Sequence, residues 1–373
     1  MRICFFGTYD PNYTSNKLIL NGLSRNNIEV IEVNVPIAVT KLDSQEEMSW
    51  SNLLKRILRK YKMLGKIWSQ RKDLQRSDVI YVGYPGHFDV FIAFIAAKIF
   101  HKKLIFNPLL VIYTGFSEEQ GLLKKSSLMG ILIKFFEGTA YKLCDLIFAD
   151  TPFQKKYLEN IFGVPEEKIK ILSIGADDEF YKYHPLNNES KSIKVVYYGL
   201  YSPIHGVEHI IEAARLSQKN KNIKFIMVGQ GNTFSKNYER AKSLELKNIE
   251  FYHHIDQSLH PKIIQQADVF LGFLQKHPSV ERIIPNKIYQ GLSLGKVVLT
   301  ADAPVIRSVF EPGKNIYVCQ AGNPQSLYEA LSYLSQNSQA RKEIAQNGYQ
   351  LFKKNFTPAA VGKQLGKYVS EIM

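Results

Sequence analysis

An α/β chain of two doubly wound parallel-sheet domains facing a cleft is the fold this sequence predicts, and three observations predict it. At 373 residues the chain is about twice the size of one compact domain. Short apolar, β-branched runs recur, each followed by a longer helical pattern, which is the signature of βαβ units feeding a parallel sheet. Near the middle, the polar stretch Pro185-Leu-Asn-Asn-Glu-Ser190 has neither periodicity, as an interdomain connection should.

In chain order the strand runs of the first half are Ile3–Phe6, Val30–Val35, Val79–Val82, Leu104–Phe106, Leu146–Ala149 and Ile169–Ile174. Those of the second half are Lys194–Tyr198, Lys224–Val228, Ile249–Tyr252, Val269–Phe273, Val297–Thr300 and Ile316–Cys319. After Asn323-Pro324 the pattern is helical to the end, and Pro358 can start one last helix. The expected organisation is 1–184 and 185–356 as two domains, with 357–373 a helix crossing back to the first.

Composition bounds the function. Hydrophobic residues make up 45% and charged residues 22%, values of an ordinary globular chain with a sizeable core. Cys4, Cys144 and Cys319 have neither disulfide nor zinc spacing, which points to reduced cytosol. The apolar start, Met1 to Gly7, is too short for a signal peptide. The most apolar run, Phe88 to Phe100, is interrupted by Asp89 and Lys98 and is too short to span a bilayer. A net charge of +14 calls for an anionic partner: nucleic acid, lipid surface or phosphate-rich substrate.

Open parallel sheets bind ligands at the carboxyl ends of their strands, so motifs matter most just after strands. The segment Val195 to Ala214 runs strand, loop, helix, with Gly199 and Gly206 in the loop. Glycines there let amides approach an anion, and the helix N-terminus adds partial positive charge; a plain tight turn is the competing reading. His205 either donates to that anion or caps the helix. Gly229 closes another strand and reads equally as a turn. His253 and His254 point to opposite faces of a strand and cannot easily share a metal ion. In Pro285-Asn286-Lys287 through Gly295, proline suits a helix start and glycine its end. Asn286 and Lys287 then sit where the dipole favours an anion, and Gln290 lies one turn on. A phosphate with ribose hydroxyls beside Gln290 would satisfy all three, while a solvated Lys287 remains the alternative.

These segments, in this order, resemble the donor-binding domain of retaining GT-B glycosyltransferases of the family 4 type (glycosyl transferases group 1), with two Rossmann-like domains. The resemblance covers roughly 193–356. It implies that Gly199, His205, Gly206, Gly229, His254, Pro285, Asn286, Lys287 and Gln290 hold a nucleotide-diphosphate sugar, with Lys287 and Arg282 as catalytic residues. Of the family's E-x7-E pair, Gln290 occupies the second position and Arg282 the first, with Glu281 one residue off register; altered donor preference follows. Gly7-Thr8 through Asn16 is a polar loop after the first strand, where the family closes over donor and acceptor. On the acceptor side the candidates are Thr8, Asn16, Asn107, Thr114, Glu118 and Glu119. No Asp-x-Asp occurs, so the leaving diphosphate is expected to be neutralised by Lys287, Arg282, His205 and helix termini, with no metal and no cofactor.

From Trp50 to Lys72 there are eight Lys or Arg and no acid. Trp50, Leu53, Leu54, Ile57, Leu58, Tyr61, Leu64 and Trp68 form one helical stripe opposite Lys55, Arg56, Arg59, Lys62 and Lys66. A core-packed helix with a solvated basic face is one reading; insertion at an anionic membrane surface is the other. A second basic-apolar stretch, Leu122 to Phe136, could join it. The expectation is a cytoplasmic enzyme, peripheral on the inner membrane face, using a glycan or polyprenyl-diphosphate-linked acceptor. Three classes compete: the transferase, a sugar-nucleotide epimerase, and a non-catalytic GT-B binding partner. An epimerase needs acidic groups, and 285–295 has none. Nucleic acid is not an expected partner, since no nucleic-acid motif is visible.

Overall fold

The computed structural model describes residues 1–36, 62–119, 123–186, 189–253 and 256–373. They form two compact units. The first comprises Met1–Ser117, Gly121–Ile174 and Pro358–Met373; the second, Glu118–Gln120 and Gly175–Thr357.

The first unit is built on six parallel strands: β1 (Arg2–Gly7), β2 (Glu29–Asn34), β3 (Val79–Val82), β4 (Lys103–Phe106), β5 (Leu146–Ala149) and β6 (Ile169–Ile171). Their order is β2-β1-β3-β4-β5-β6. The inner strands β1, β3, β4 and β5 are buried on both faces past their first residues and read as near-continuous apolar runs, whereas the edge strands β2 and β6 carry Glu29, Glu32 and Lys170. Cys4, Phe6, Ile80, Val82, Leu104 and Phe106 face one core, shared with α2 (Asp89–Phe100), α3 (Leu128–Leu143) and α4 (Pro152–Phe162). Ile3, Phe5, Val79, Tyr81, Ile105 and Phe148 face the other.

That second face is covered by α1 (Thr14–Arg25) and the last helix of the chain, Pro358–Ile372. The two helices cross where Gly22 meets Gly362: a Cβ on Gly22 would stand 3.1 Å from the Gly362 Cα and would strike the Pro358 carbonyl. Asn26 locks the crossing by donating to Gly22 O at 2.7 Å and Ala359 O at 2.9 Å.

The second unit repeats the plan with β7 (Ile193–Tyr198), β8 (Ile223–Val228), β9 (Ile249–Tyr252), β10 (Val269–Leu271), β11 (Val297–Ala301) and β12 (Tyr317–Cys319), in the order β12-β11-β10-β7-β8-β9. This is the doubly wound arrangement whose order reverses between its first and fourth strands, here β7 and β10. Strands β6 and β10 stop short of the expected Ile174 and Phe273. β6 ends where its partner does, at the pair Ala149↔Ile171, because Thr151 already caps α4 by accepting from Gln154 N at 3.0 Å.

The polar stretch at 185–190, where the sequence places the domain connection, lies inside the second unit, which begins at Gly175. Its end is held there by the fully buried Arg341, which donates to Ser190 O at 2.6 Å. Lys342 pairs with Glu189 at 2.6 Å. The three cysteines are buried free thiols.

Candidate functional site

In the second unit the strand order reverses between β7 and β10, and the loops that follow these two strands meet at the sheet's carboxyl edge. Glycines let the loops crowd there. Gly199 has φ 153° and Gly229 φ 142°, and a Cβ on Gly229 would strike the Gly199 carbonyl. Gly206, at φ 69°, precedes helix α5 (Val207–Leu216); its Cβ would lie 2.6 Å from Gln275 N. Leu274 N donates to His205 O at 3.1 Å, bracing the β10 loop against the β7 loop.

Helix α6 (Asn286–Ser293) points into this edge. Pro285 takes the N-cap with φ −68° and ψ 145° and has no capping side chain, one position earlier than the sequence suggests. Its φ matches the helix, while its ψ is extended, so helical geometry begins at Asn286. Gln290 and Lys287 are buried and Asn286 is half-buried.

Lys287 is the unusual group. Its ammonium is buried with no hydrogen-bond partner among the described residues and stands 4.4 Å from the centre of the Tyr197 ring and 5.6 Å from that of Phe273. A Cβ on Gly199 would come within 2.6 Å of its Nζ. Burial pushes its pKa down to about 7. Two aromatic faces give a cation partial compensation but leave its donors unused. A buried, unpaired lysine costs a fold several kcal/mol, and this one faces a glycine loop at a switch point.

His205 is tied to the same cluster. Tyr197 Oη donates its one proton to Leu200 O at 2.7 Å, so its 2.7 Å contact with His205 Nδ1 has the imidazole as donor. Nε2 of the neutral ring then carries a lone pair. Burial first and the charge of Lys287 second hold the ring's pKa well below the ordinary imidazole value. As the neutral ring, His205 accepts at Nε2; donating to an anion there requires a second proton.

Arg282, expected to face phosphate, instead donates to Glu118 Oε2 at 2.6 Å and to Ser279 Oγ at 3.4 Å. The two charged side chains are 15% and 10% exposed. Glu118, expected on the acceptor side, groups with the second unit, where His277 Nε2 lies 3.2 Å from its carbonyl. Charge complementarity across 164 positions is invisible in sequence. His254 lies outside the described residues, as does the Glu119 side chain.

In the first unit the order reverses between β1 and β3, and the polar side chains expected to meet an acceptor are engaged inside the fold. Thr8 donates from both N and Oγ1 to Asp89 Oδ2, each at 2.8 Å. A Cβ on Gly7, at φ 138°, would stand 3.1 Å from that same oxygen. Asn16 bridges the two loops, donating to Tyr84 O at 2.7 Å and accepting from Tyr84 N at 3.1 Å. These groups shape the rim through their own hydrogen bonds. Thr114 donates to Tyr157 Oη at 3.0 Å. Asn107 donates to Tyr81 Oη at 2.9 Å and lines a small cleft with Asp150, Gln154 and Ser15, whose buried hydroxyl has no hydrogen-bond partner among the described residues.

Glu137 is a residue that the sequence does not announce. Fully buried, it accepts from Ile112 N at 2.7 Å, Tyr113 N at 2.8 Å and Tyr141 Oη at 2.6 Å, with His87 Nε2 at 3.3 Å. It pins the start of the segment that continues into the π-helix Gly115–Glu119. An acid alone on the apolar helix α3 was the available signal. Tyr197 and Phe273, which flank Lys287, gave none, since aromatics at strand ends usually serve packing.

Residues 181–351 match the model of the family described as glycosyl transferases group 1. The chain is similar to a chitobiosyldiphosphodolichol beta-mannosyltransferase of Candida albicans, 23% identical over 293 residues, covering 72% of this chain and 63% of that one. It is also similar to the putative colanic acid biosynthesis glycosyl transferase WcaI of Escherichia coli, 29% identical over 111 residues, covering 29% and 26%. The match spans less than two thirds of either relative's length. Among solved structures, Anabaena Alr3699/HepE in complex with UDP-glucose superimposes with a TM-score of 0.67 at 16% identity, covering 100% of both chains. The fold is therefore GT-B, two Rossmann-like units on parallel sheets.

Proposed function

We propose that this chain is a glycosyltransferase moving a sugar from a nucleotide-diphosphate sugar to an acceptor hydroxyl, with retention of configuration and without a metal. The observation that carries the reading is the buried, partnerless Lys287 ammonium facing Gly199. A diphosphate docked against this loop takes up the lysine's donors and the open amides at the start of α6. The match to glycosyl transferases group 1 over 181–351 supports the same reading, as does the fold shared with a protein solved with UDP-glucose.

The chemistry follows from placement. As the glycosidic bond breaks, negative charge grows on the departing diphosphate, and a cation fixed in a low-dielectric pocket stabilises that charge without reorganising. The arriving anion also raises the lysine's pKa from about 7, so that it is charged when needed. Gln290, one turn along α6, is offered to the ribose hydroxyls. The leaving diphosphate itself helps to deprotonate the incoming hydroxyl, the route that the family 4 resemblance implies.

The acceptor in this reading is a glycan or polyprenyl-diphosphate-linked sugar at the cytoplasmic face of a membrane. The Candida relative, named for a chitobiosyldiphosphodolichol substrate, supports the choice. Of the basic helix at 50–72, residues 50–61 lie outside the described ones. Farther on, Leu64 and Trp68 of its apolar stripe are exposed, while Met63 and Ile67 turn to the core.

One observation favours a second reading, a GT-B module that binds donor without turnover: the first-glutamate position is Arg282, engaged by Glu118. A panel of UDP, GDP and their sugars, followed by thermal shift and by transfer assays with and without EDTA, separates the two. Stabilisation by one nucleotide, with EDTA-insensitive transfer, is the expected result. Stabilisation without turnover leaves the binding module, a requirement for manganese overturns metal independence, and no nucleotide shift overturns the donor site.

A further inference from the structure

Helices α2 and α3 lie on the outer layer of the first unit, where an outward face is normally polar. Here it is apolar. On α3, Leu128 is 75% exposed and Phe135 74%, with Ile131 and Leu132 between them on the same 100° arc. On α2, Ile95 and Ile99 are exposed as well. The helices adjoin: the Phe136 ring of α3 stands 4.7 Å from Phe88 and 4.9 Å from Phe91. The result is a continuous apolar surface across two helices rather than scattered single residues.

Its charge is one-sided. From Leu123 to Phe136 the charged residues are Lys124, Lys125 and Lys134, all exposed and with no acid among them. From Phe88 to Lys103 the only acid is Asp89, which is buried under Thr8, while Lys98 is exposed. A protein partner would be free to offer any polar complement. A surface of aliphatic and aromatic side chains on two helices that expose lysines and no acid matches an interface with acyl chains below and negative headgroups at the rim. In the neighbouring helical stretch 62–69, Met63 and Ile67 enter the core shared with α2 and α3, while Trp68, 73% exposed, points away from it. Tryptophan suits the same boundary.

We infer that the α2–α3 face is a membrane-docking surface, seated on an anionic bilayer with Leu128 and Phe135 among the acyl chains and Lys124, Lys125 and Lys134 at the headgroups. The inference does not depend on which reaction the chain performs.

The test is sedimentation of the full chain with vesicles of phosphatidylcholine alone, or with three parts in ten of phosphatidylglycerol. The wild type is expected to partition onto the anionic vesicles and to leave them as salt is raised. Leu128→Gln/Phe135→Gln should bind them roughly tenfold more weakly or worse, and Lys124→Gln/Lys125→Gln should lose most of the preference for anionic lipid. Matched thermal unfolding certifies that the variants are folded. Nucleotide-induced thermal shifts, read separately, report on the donor site, so either proposal can fail alone. Absence of wild-type binding, or binding unchanged by both double variants, overturns the inference. A dimer by light scattering that Leu128→Gln/Phe135→Gln dissolves overturns it in favour of a second copy of the chain.

Discussion

Replacing Lys287 by methionine should make the protein more stable at neutral pH while abolishing nucleotide binding. Burial lowers the ammonium's pKa from 10.5 to about 7, so between those values the unfolded chain binds more protons than the folded one. Stability therefore rises with pH across that window, and the cost of the lysine is fully present below pH 7. That cost is about 5 kcal/mol. Methionine keeps the packing against Tyr197 and Phe273, where sulfur meets aromatic rings favourably, and removes the charge. For a unit of this size a gain of about 4 kcal/mol raises the melting temperature by on the order of 10 °C. Thermal unfolding of both proteins at pH 6.5 and pH 10, with and without UDP, is the assay. The gap between them should be wide at pH 6.5, narrow at pH 10, and narrowed again by UDP, which stabilises only the wild type. A variant that melts below the wild type at pH 6.5, or a gap independent of pH, would refute the account of Lys287 as an anion site held at a cost to the fold.

Three further outcomes follow from named contacts. Gly199→Ala should lose most nucleotide affinity, because the new Cβ would meet the Lys287 Nζ at 2.6 Å and the position has φ 153°; calorimetric titration with UDP reads it, and unchanged affinity would relocate the site. Arg282→Gln and Glu118→Gln should each cost about 1–3 kcal/mol in urea denaturation, and the double variant clearly less than their sum; strict additivity would mean that the 2.6 Å pair contributes nothing. Gly362→Val should destabilise the first unit by several kcal/mol, since it separates the closing helix from Gly22; wild-type stability by thermal unfolding would show that the close crossing is dispensable.

The local grammar was legible because its causes are local. Alternate residues of Ile3–Phe6 and Val79–Val82 are apolar on both faces because helices cover both, and a run of this kind shows in any window of the chain. So does the break after Gly295, decided within a few residues. The Pro285–Lys287 helix start could be read for the same reason, and with it the idea of an anion there. Where a strand would end was less legible, because pairing stops when the partner strand does.

What only the tertiary structure decided is which polar groups are already engaged. Thr8 and Asn16 look like ligand groups in sequence, but Asp89 and Tyr84, brought beside them by the β1–β3 reversal, occupy their hydrogen bonds. Arg282 reads as a phosphate ligand until Glu118 meets it from far along the chain. Lys287 goes the other way: a solvated charge was one of its two readings, and folding buries it against Tyr197 with no partner. Residue type and spacing determine which chemistry a side chain can offer. Whether that chemistry remains available depends on long-range neighbours, because a donor or a charge can be satisfied by any group that the topology carries within about 3 Å.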